Sequence, residues 1–595
     1  MRHWITAALL ALCTAAHSQQ TADSVQPETG VAGLFEAISP RVADALAAKR
    51  AGAPVRGQGW MVAVANPHAA EAAADVLAAG GTAADALVVA QTVLGLVEPQ
   101  SSGLGGGGFL VYYDAAAGRL TTLDGRETAP LAATPTRFQT PDGEPMGFFD
   151  AVLGGLSVGV PGSPALLSEA HRRWGNQDWA SLMQPGIALA EQGFAVSPRL
   201  AGLVARDAER LGTHPVTADY FLPGGTPLIA GTQLNNPAYA ETLRAYAADP
   251  RALYEGPIAR DIVATVQEAT TGTGWLRQTD LAIYRVRERA PVCAAFRSYE
   301  VCGMGPPSSG GLTVGQILGM MDSQNLSALG AANPDAWRLI GDASRLAFAD
   351  RGRYMADSDF VPMPTQGLID PAYLAERAAL LDRATALDAV AAGSPEWDHA
   401  ALFGDGQSPE RPSTTHISIV DSAGNVASMT SSIENAFGSR IMVGGMLLNN
   451  QLTDFSFRTQ RDGVPIANAL APGKRPRSSM SPTIVMQDGA PVLAIGSPGG
   501  SRIIGYTAKA IIAWADWGMD VQKAVSMPHA VNRFGTFDLE EGTTAEALAG
   551  PLQDMGFEVA IRGLNSGLHA IEITPGGLLG GADPRREGIA LGGTQ

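Results

Sequence analysis

The chain has 595 residues, of which 46% are hydrophobic and 17% are charged, a balance typical of a globular protein with a large core rather than of a disordered one. Its formal net charge is −17, so it lacks the excess of lysine and arginine that a nucleic-acid surface needs, and we expect no nucleic-acid partner. The 70 glycines predict many tight turns and close backbone approaches.

Residues 1–18 have the pattern of a secretory signal peptide. A basic start is followed by an apolar run from Trp4 to Cys13, and the small residues Ala16 and Ser18 lie where a signal peptidase cuts. We therefore expect export, to the periplasm or the medium, with cleavage near Ser18. Since no later segment is long and apolar enough to span a bilayer, we expect no membrane anchor.

The next part of the chain predicts a strand followed by two helices. Residues 59–67 form an apolar run typical of a buried strand, and residues 68–79 are an Ala-rich helix ended by two glycines. Thr82 should cap a second helix, 83–96, which is apolar on nearly all sides and therefore buried. The glycine run at 103–108 precedes a strand, whereas nucleotide loops follow a strand and open a helix, so we do not interpret it as a phosphate loop.

Residues 155–159 fit the G-x-S-x-G pattern of a nucleophile elbow, in which Ser157 would attack the substrate. The pattern arises easily in a glycine-rich chain. Here Val160-Pro161-Gly162 follows at the point where an elbow must open a helix. We expect Ser157 not to be catalytic.

The middle of the chain, to about residue 390, is predicted to be mainly helical, with amphipathic segments at 185–193, 198–211, 238–247, 256–270 and 335–353. Cys293 and Cys302 flank a β-type run that could form a hairpin, and in an exported protein a disulfide between them is favoured over two free thiols. No cluster of His or Cys residues with the spacing of metal ligands accompanies the two cysteines, so we expect no metal. We also expect no cofactor. Residues 391–413 are polar and contain several Gly and Pro, which predicts an exposed, flexible segment.

A β-hairpin is predicted directly after that segment. Residues 415–420 alternate in polarity, residues 421–425 have turn chemistry, and residues 426–432 form a second β-type run. If the hairpin is symmetric about Ala423, Thr414 faces Ser432 with Cβ atoms about 4.5–5.5 Å apart. Two opposed hydroxyls suggest a nucleophile and a helper, although the hairpin alone is more typical of a Thr-rich strand in an ordinary sheet.

A threonine hydroxyl needs a base to act as a nucleophile. His416, on the same face of the strand, is the only local side chain that could serve. The other solution is an N-terminal threonine whose own α-amine, with a pKa of roughly 7.7–8.0, takes the proton. That solution requires cleavage of the chain between Ser413 and Thr414.

The motifs that follow resemble the small subunit of the γ-glutamyltranspeptidase family. They are T-T-H at 414–416, F-G-S at 437–439, L-L-N-N-Q-x-x-D-F-S at 447–456, R-S-S-M-S-P-T-I-V at 477–485 and G-S-P-G-G-S-R at 496–502. The resemblance implies an α+β fold, the four-layer αββα sandwich of N-terminal-nucleophile hydrolases with additional helices. It also implies autocatalytic cleavage into a large subunit, 19–413, and a small subunit, 414–595, that stay associated.

The resemblance further implies transfer or hydrolysis of γ-glutamyl groups from glutathione-like amides through an ester on Thr414, with an amino acid, a peptide or water as acceptor. Arg126 matches the arginine that grips the substrate α-carboxylate, and Gly499 and Gly500 match the glycines that bind the oxyanion. The remaining substrate-binding positions are Ser478 and Ser479 for the carboxylate, and Glu434, Gln451 and Asp454 for the ammonium.

Two departures from the family pattern bear on specificity. Glu434 stands where many members have Asn, and residues 455–477 contain no Tyr, which resembles the lid-less type and leaves the balance of hydrolysis and transfer open. The nearest alternative is a cephalosporin or glutaryl acylase of the same fold, whose substrate lacks the ammonium that Asp454 would bind. An exported binding protein without catalysis is a third interpretation.

Overall fold

Two antiparallel sheets of seven strands each form the centre of the computed structural model, which describes residues 33–270, 276–399, 401–406, 408 and 413–594. In spatial order the first sheet contains Ile589–Gly593, Trp60–Val64, Thr415–Val420, Val426–Ser432, Gly107–Asp114, Arg119–Gly125 and Arg287–Arg289. The second contains Val55–Gly57, Gly577–Ala582, His569–Thr574, Ala490–Gly496, Thr483–Gln487, Tyr299–Gly303 and Val292–Phe296. Each sheet therefore combines strands from both sides of residue 414.

The two sheets pack face to face through an apolar layer. Met61 and Val420 of the first sheet meet Ile484 and Ile571 of the second in one buried cluster. This burial follows from the period of two along a strand, which sends every second side chain to the same face. The sheets are thus the two inner layers of a sandwich.

Helices cover both outer faces. Those in the core of the first sheet include Pro67–Ala78, Ala83–Val97, Ser163–Trp174, Gln184–Gln192, Pro198–Leu211, Pro237–Ala248 and Gly256–Glu268. Those in the core of the second sheet include Gly310–Met321, Pro334–Tyr354, Pro371–Ala379, Ile503–Ala515, Val521–Ser526 and Ala549–Asp554. The order of layers is helix, sheet, sheet, helix, and the predicted αββα arrangement is confirmed.

The predicted helices and their boundaries agree with the structure to within two residues at each end. Thr82 caps the buried helix Ala83–Val97 as expected: its hydroxyl accepts from Asp85 N at 3.2 Å, while Asp85 Oδ2 accepts from Thr82 N at 2.9 Å. Such a capping box satisfies two backbone donors that the first helical turn leaves without partners.

The predicted disulfide is present. Cys293 and Cys302 lie opposite each other on the antiparallel strands Val292–Phe296 and Tyr299–Gly303, and their sulfur atoms are bonded. The predicted signal peptide lies outside the described residues. Within the described part of the chain, no helix is both long enough and apolar enough to cross a bilayer.

Candidate active site

The predicted register of the hairpin formed by residues 415–432 is confirmed. Thr415 pairs with Ser431 and Val420 with Val426, which places Thr414 opposite Ser432 at the open end. Thr414 Oγ1 and Ser432 Oγ lie 3.1 Å apart, within hydrogen-bond distance. Glu434 N donates to Ser432 Oγ at 2.9 Å, so the Ser432 hydroxyl proton can point to Thr414.

A pocket opens in front of these two hydroxyls. It is lined by Arg126, Thr414, Ser432, Glu434, Gln451, Asp454, Ser478, Ser479, Met480, Gly500 and Ile503. Every site residue expected from the sequence lines it except Gly499, which directly precedes Gly500. Met480 and Ile503 were not expected, because nothing in a methionine or isoleucine distinguishes a pocket wall from core.

Arg126 is fully buried at one side of the pocket. Its Nη2 donates to Asp454 Oδ2 at 2.5 Å and to the Arg477 carbonyl at 2.9 Å, whereas its Nη1 makes no hydrogen bond within the described residues. Nη1 lies 3.7 Å from Glu127 Oε2, and burial raises the pKa of Glu127 to about 8. A Glu127 carboxyl that is protonated at neutral pH is uncharged and does not offset the positive charge of Arg126. More of that charge is then available to attract an anionic ligand.

Acceptor oxygens also line the pocket, next to Arg126. Gln451 Nε2 donates to Asp454 Oδ2 at 2.7 Å, and Gln451 Oε1 is buried without a hydrogen-bond partner among the described residues. Glu434 accepts from Asn450 Nδ2. Two carboxylates and an amide oxygen facing one small space suit a ligand that carries an ammonium group.

Ser478 and Ser479, which follow each other in the pocket wall, accept hydrogen bonds from other groups of the protein. Ser478 Oγ accepts from Met480 N at 3.1 Å, and Ser479 Oγ accepts from Arg351 Nη2 at 2.8 Å. The Ser478 hydroxyl then has its proton to donate toward the pocket, as the binding of a carboxylate requires.

Gly499 and Gly500 have backbone conformations that side chains disfavour, with φ of 137° and 59°. A Cβ on Gly499 would also lie 2.7 Å from the Tyr506 ring. The turn Gly500–Arg502 leads into the helix Ile503–Ala515, so backbone N–H groups at a helix start lie beside Thr414. Backbone N–H groups at the start of a helix favour a negative charge that develops near them, as on the oxygen of a carbonyl under attack.

His416 does not serve as the base. It is buried, with Nδ1 2.9 Å from Thr430 Oγ1 and Nε2 3.0 Å from Ser418 Oγ, and burial holds its pKa well below the usual range. Ser157 lies in the turn Gly155–Ser157 and donates to the Val152 carbonyl at 2.7 Å, and it is not among the pocket residues. Within the described structure, neither residue forms part of the site.

A family model described as gamma-glutamyltranspeptidase matches residues 69–593 of the chain. The chain belongs to the γ-glutamyltranspeptidase family. It is 36% identical over 552 residues to the glutathione hydrolase proenzyme of Bacillus subtilis (strain 168), which covers 90% of this chain and 92% of the relative.

Acylases of the family are equally similar. The Acylase ACY 1 proenzyme of Pseudomonas sp. (strain SE83) is 36% identical over 553 residues, covering 91% of this chain and 94% of the relative. Among solved structures, cephalosporin acylase from Bacillus halodurans superposes with a TM-score of 0.79 at 25% identity, covering 91% of this chain and 96% of that chain. The fold is that of the N-terminal-nucleophile hydrolases, and overall similarity does not separate γ-glutamyl enzymes from acylases.

Proposed function

We propose that the protein is a γ-glutamyl transferase and hydrolase that acts on glutathione and related γ-glutamyl amides. The observation that carries the proposal is the pocket itself, which Thr414 and Ser432 line together with a buried arginine and two carboxylates. A γ-glutamyl donor presents an α-carboxylate, an α-ammonium and, three carbons away, the amide carbon to be attacked. The pocket has groups for all three.

Maturation comes first, because among the described residues no basic side chain contacts Thr414 Oγ1, and cutting the chain gives Thr414 an α-amine of its own. Thr414 Oγ1 attacks the Ser413 carbonyl carbon; the C–N bond breaks, and the hydroxyl proton ends on the Thr414 nitrogen. Water then hydrolyses the resulting ester, which leaves the Ser413 carboxylate, the free Thr414 hydroxyl and a new α-amine. The products would be residues 19–413 and 414–595, and since both sheets draw strands from both products, they would stay associated.

The same hydroxyl then reacts with substrate. The Thr414 amine accepts the hydroxyl proton as Oγ1 attacks the γ-carbonyl, and backbone N–H groups at Gly499 and Gly500 stabilise the oxyanion. The protonated amine gives the proton to the leaving nitrogen, which leaves a γ-glutamyl ester on Thr414. Attack by an amino acid, a peptide or water regenerates the enzyme.

The acylase alternative predicts a different preference between two anilides. Glutaryl p-nitroanilide differs from γ-glutamyl p-nitroanilide only in lacking the α-amine. Without that amine the carboxylates of Asp454 and Glu434 and the Gln451 oxygen lose their ligand, and sites built around such groups discriminate by about 10⁴-fold. We expect kcat/KM for the γ-glutamyl anilide to exceed that for the glutaryl anilide by about 10³-fold or more.

Asp454→Asn keeps the size of the side chain and removes its charge, so it should abolish most of that preference mainly by lowering activity on the γ-glutamyl anilide. Thr414→Ala should stay uncut and inactive on both anilides. Similar kcat/KM values for the two anilides in the parent would favour the acylase alternative.

We also propose that the protein is exported. The pattern of residues 1–18 supports this, and so does the disulfide between Cys293 and Cys302, since such bonds persist mainly in oxidising compartments. N-terminal sequencing of secreted protein should begin near residue 19.

A further inference from the structure

One short segment of the large subunit touches the chain on both sides of the predicted cleavage point. Ser413 Oγ donates to the Gln100 carbonyl at 2.8 Å, and Thr415 Oγ1 lies 3.4 Å from Glu98 Oε2. Glu98 ends the buried helix Ala83–Val97, and its own N–H donates to the Leu94 carbonyl at 2.8 Å. The segment therefore joins a buried helix to the residues on both sides of the Ser413–Thr414 bond.

Glu98 belongs to a buried charged cluster that draws on three parts of the chain. Arg199 Nε lies 3.8 Å from Glu98 Oε1, and Arg199 N donates to Glu587 Oε1 at 3.0 Å. Burial raises the pKa of Glu98, and the charges of Arg199 and Arg586 oppose that rise. Burial and then the Glu98 carboxylate raise the pKa of Glu587 to about 7. Burying a charge costs free energy unless an opposite charge compensates it. Removing one charged group from the cluster therefore changes the electrostatic environment of the remaining groups.

The same cluster contacts the backbone of the nucleophile. Arg586 Nη1 donates to the Thr414 carbonyl at 3.0 Å, and Arg586 Nε donates to Asn565 Oδ1 at 2.9 Å. Thr414 has φ of 150°, which a β-branched residue rarely adopts, and this torsion lies next to the Ser413–Thr414 bond. Such conformations persist only where surrounding contacts impose them.

We propose that Glu98 is a positioning residue for maturation, which acts through Thr415 and Arg586 to hold Thr414 in the orientation from which its hydroxyl attacks the Ser413 carbonyl. The proposal rests on the proposed function, because it concerns the cleavage that creates the nucleophile. Glu98 takes no proton and forms no bond in that reaction. The Oγ1–C bond forms and the C–N bond breaks at Ser413 and Thr414 alone.

The test is the rate of cleavage of the full chain after synthesis in a cell-free translation system, followed on denaturing gels. Glu98→Gln keeps the size of the side chain and removes its charge, and Thr415→Val removes the hydroxyl that contacts it. We expect each variant to be cut about 10-fold or more slowly than the parent, because a hydrogen bond to a charged group is lost. The double variant should be no slower than the slower single one, whereas Thr415→Ser should be cut at close to the parental rate.

Two readouts separate positioning from folding. Chains that have been cut should hydrolyse γ-glutamyl p-nitroanilide with kcat/KM within about 3-fold of the parent. The uncut Thr414→Ala chain that carries Glu98→Gln should remain folded at the temperature of the cleavage assay, although its melting temperature should fall because a buried charge is lost. Thr313→Val is the matched control, since this buried hydroxyl in the helix Gly310–Met321 has no hydrogen-bond partner among the described residues, and its rate should not change.

Parental cleavage rates in Glu98→Gln and Thr415→Val would overturn the inference and leave the proposed function intact. Additive losses in the double variant would also overturn it, because the two residues would then act independently. A parent chain that stays intact would overturn the proposed function itself, and this inference with it.

Discussion

At the scale of single residues, the site depends on two hydroxyls brought together by strand register. Because side chains in a strand alternate between faces, a register shifted by one residue would send Ser432 to the other face of the sheet. Its hydroxyl accepts from Glu434 N and lies 3.1 Å from Thr414 Oγ1, so it orients the nucleophile in a definite direction.

Ser432→Ala should slow maturation, turnover or both by about 10-fold without unfolding the protein, since the strand and its apolar contacts remain. Cleavage on denaturing gels and kcat on γ-glutamyl p-nitroanilide measure the two effects. Ser157→Ala is the matched control: it also removes a buried serine hydroxyl, but one bonded to the Val152 carbonyl, and it should leave both rates unchanged. Parental rates in Ser432→Ala would mean that the hydroxyl pair has no role.

At the scale of elements, local patterns predicted much of what the structure contains. The hairpin register, the helix cap at Thr82 and the disulfide hairpin follow from turn residues, caps and spacing over about twenty residues or fewer. The pairing of Trp60–Val64 with Thr415–Val420 could not be predicted in this way, because it joins segments more than 350 positions apart. The contact of Glu98 with Thr415 was missed for the same reason. Arg126 and Asp454 were predicted as site residues only from the resemblance to the family, because local sequence patterns do not distinguish them from other charged residues.

Asp421 shows how one element fixes another. It lies in the predicted hairpin turn, where its carboxylate accepts from Ala423 N and Asn425 N, both at 3.0 Å. It also accepts from Ala83 N at 2.8 Å, at the start of the helix Ala83–Val97. The buried carboxylate thus joins the catalytic hairpin to the helix that ends at Glu98, and the helix dipole favours its charge.

Asp421→Asn should lower the free energy of unfolding by about 1–3 kcal/mol, because the amide replaces one accepting oxygen with a donor that faces other donors. Denaturant unfolding of the uncut Thr414→Ala chain measures the change and avoids the complication of two fragments. Asp488→Asn makes the same substitution in the exposed turn between Thr483–Gln487 and Ala490–Gly496, and should change stability by less than about 0.5 kcal/mol. Equal effects of the two substitutions would contradict the anchoring role.

At the scale of the whole molecule, the layer between the two sheets contains histidines as well as apolar side chains. His416 extends from the first sheet and His569 from the second, and Ser418 Oγ, which contacts His416, also donates to the His569 carbonyl at 3.3 Å. Burial lowers the pKa of His569 to about 3 and holds that of His416 well below its usual range. The sandwich therefore folds around neutral imidazoles, and protonating them would place positive charge in its centre.

This arrangement predicts a loss of stability in acid that can be assigned to one residue. In the unfolded chain a histidine has a pKa of about 6.5, so below that pH the unfolded state binds a proton that buried His416 does not, and the free energy of unfolding falls by about 1.4 kcal/mol per pH unit for each such group. Denaturant unfolding of the Thr414→Ala chain at pH 5.0–6.5 measures the net slope, which Glu127 and Glu587 reduce because their raised pKa values make the folded state bind protons that the unfolded state does not. His416→Gln should make the slope shallower by about 1.4 kcal/mol per pH unit, whatever its effect on stability at neutral pH. His399→Gln, which changes an exposed histidine, should leave the slope unchanged. An unaltered slope in His416→Gln would mean that this imidazole takes up its proton within the folded sandwich.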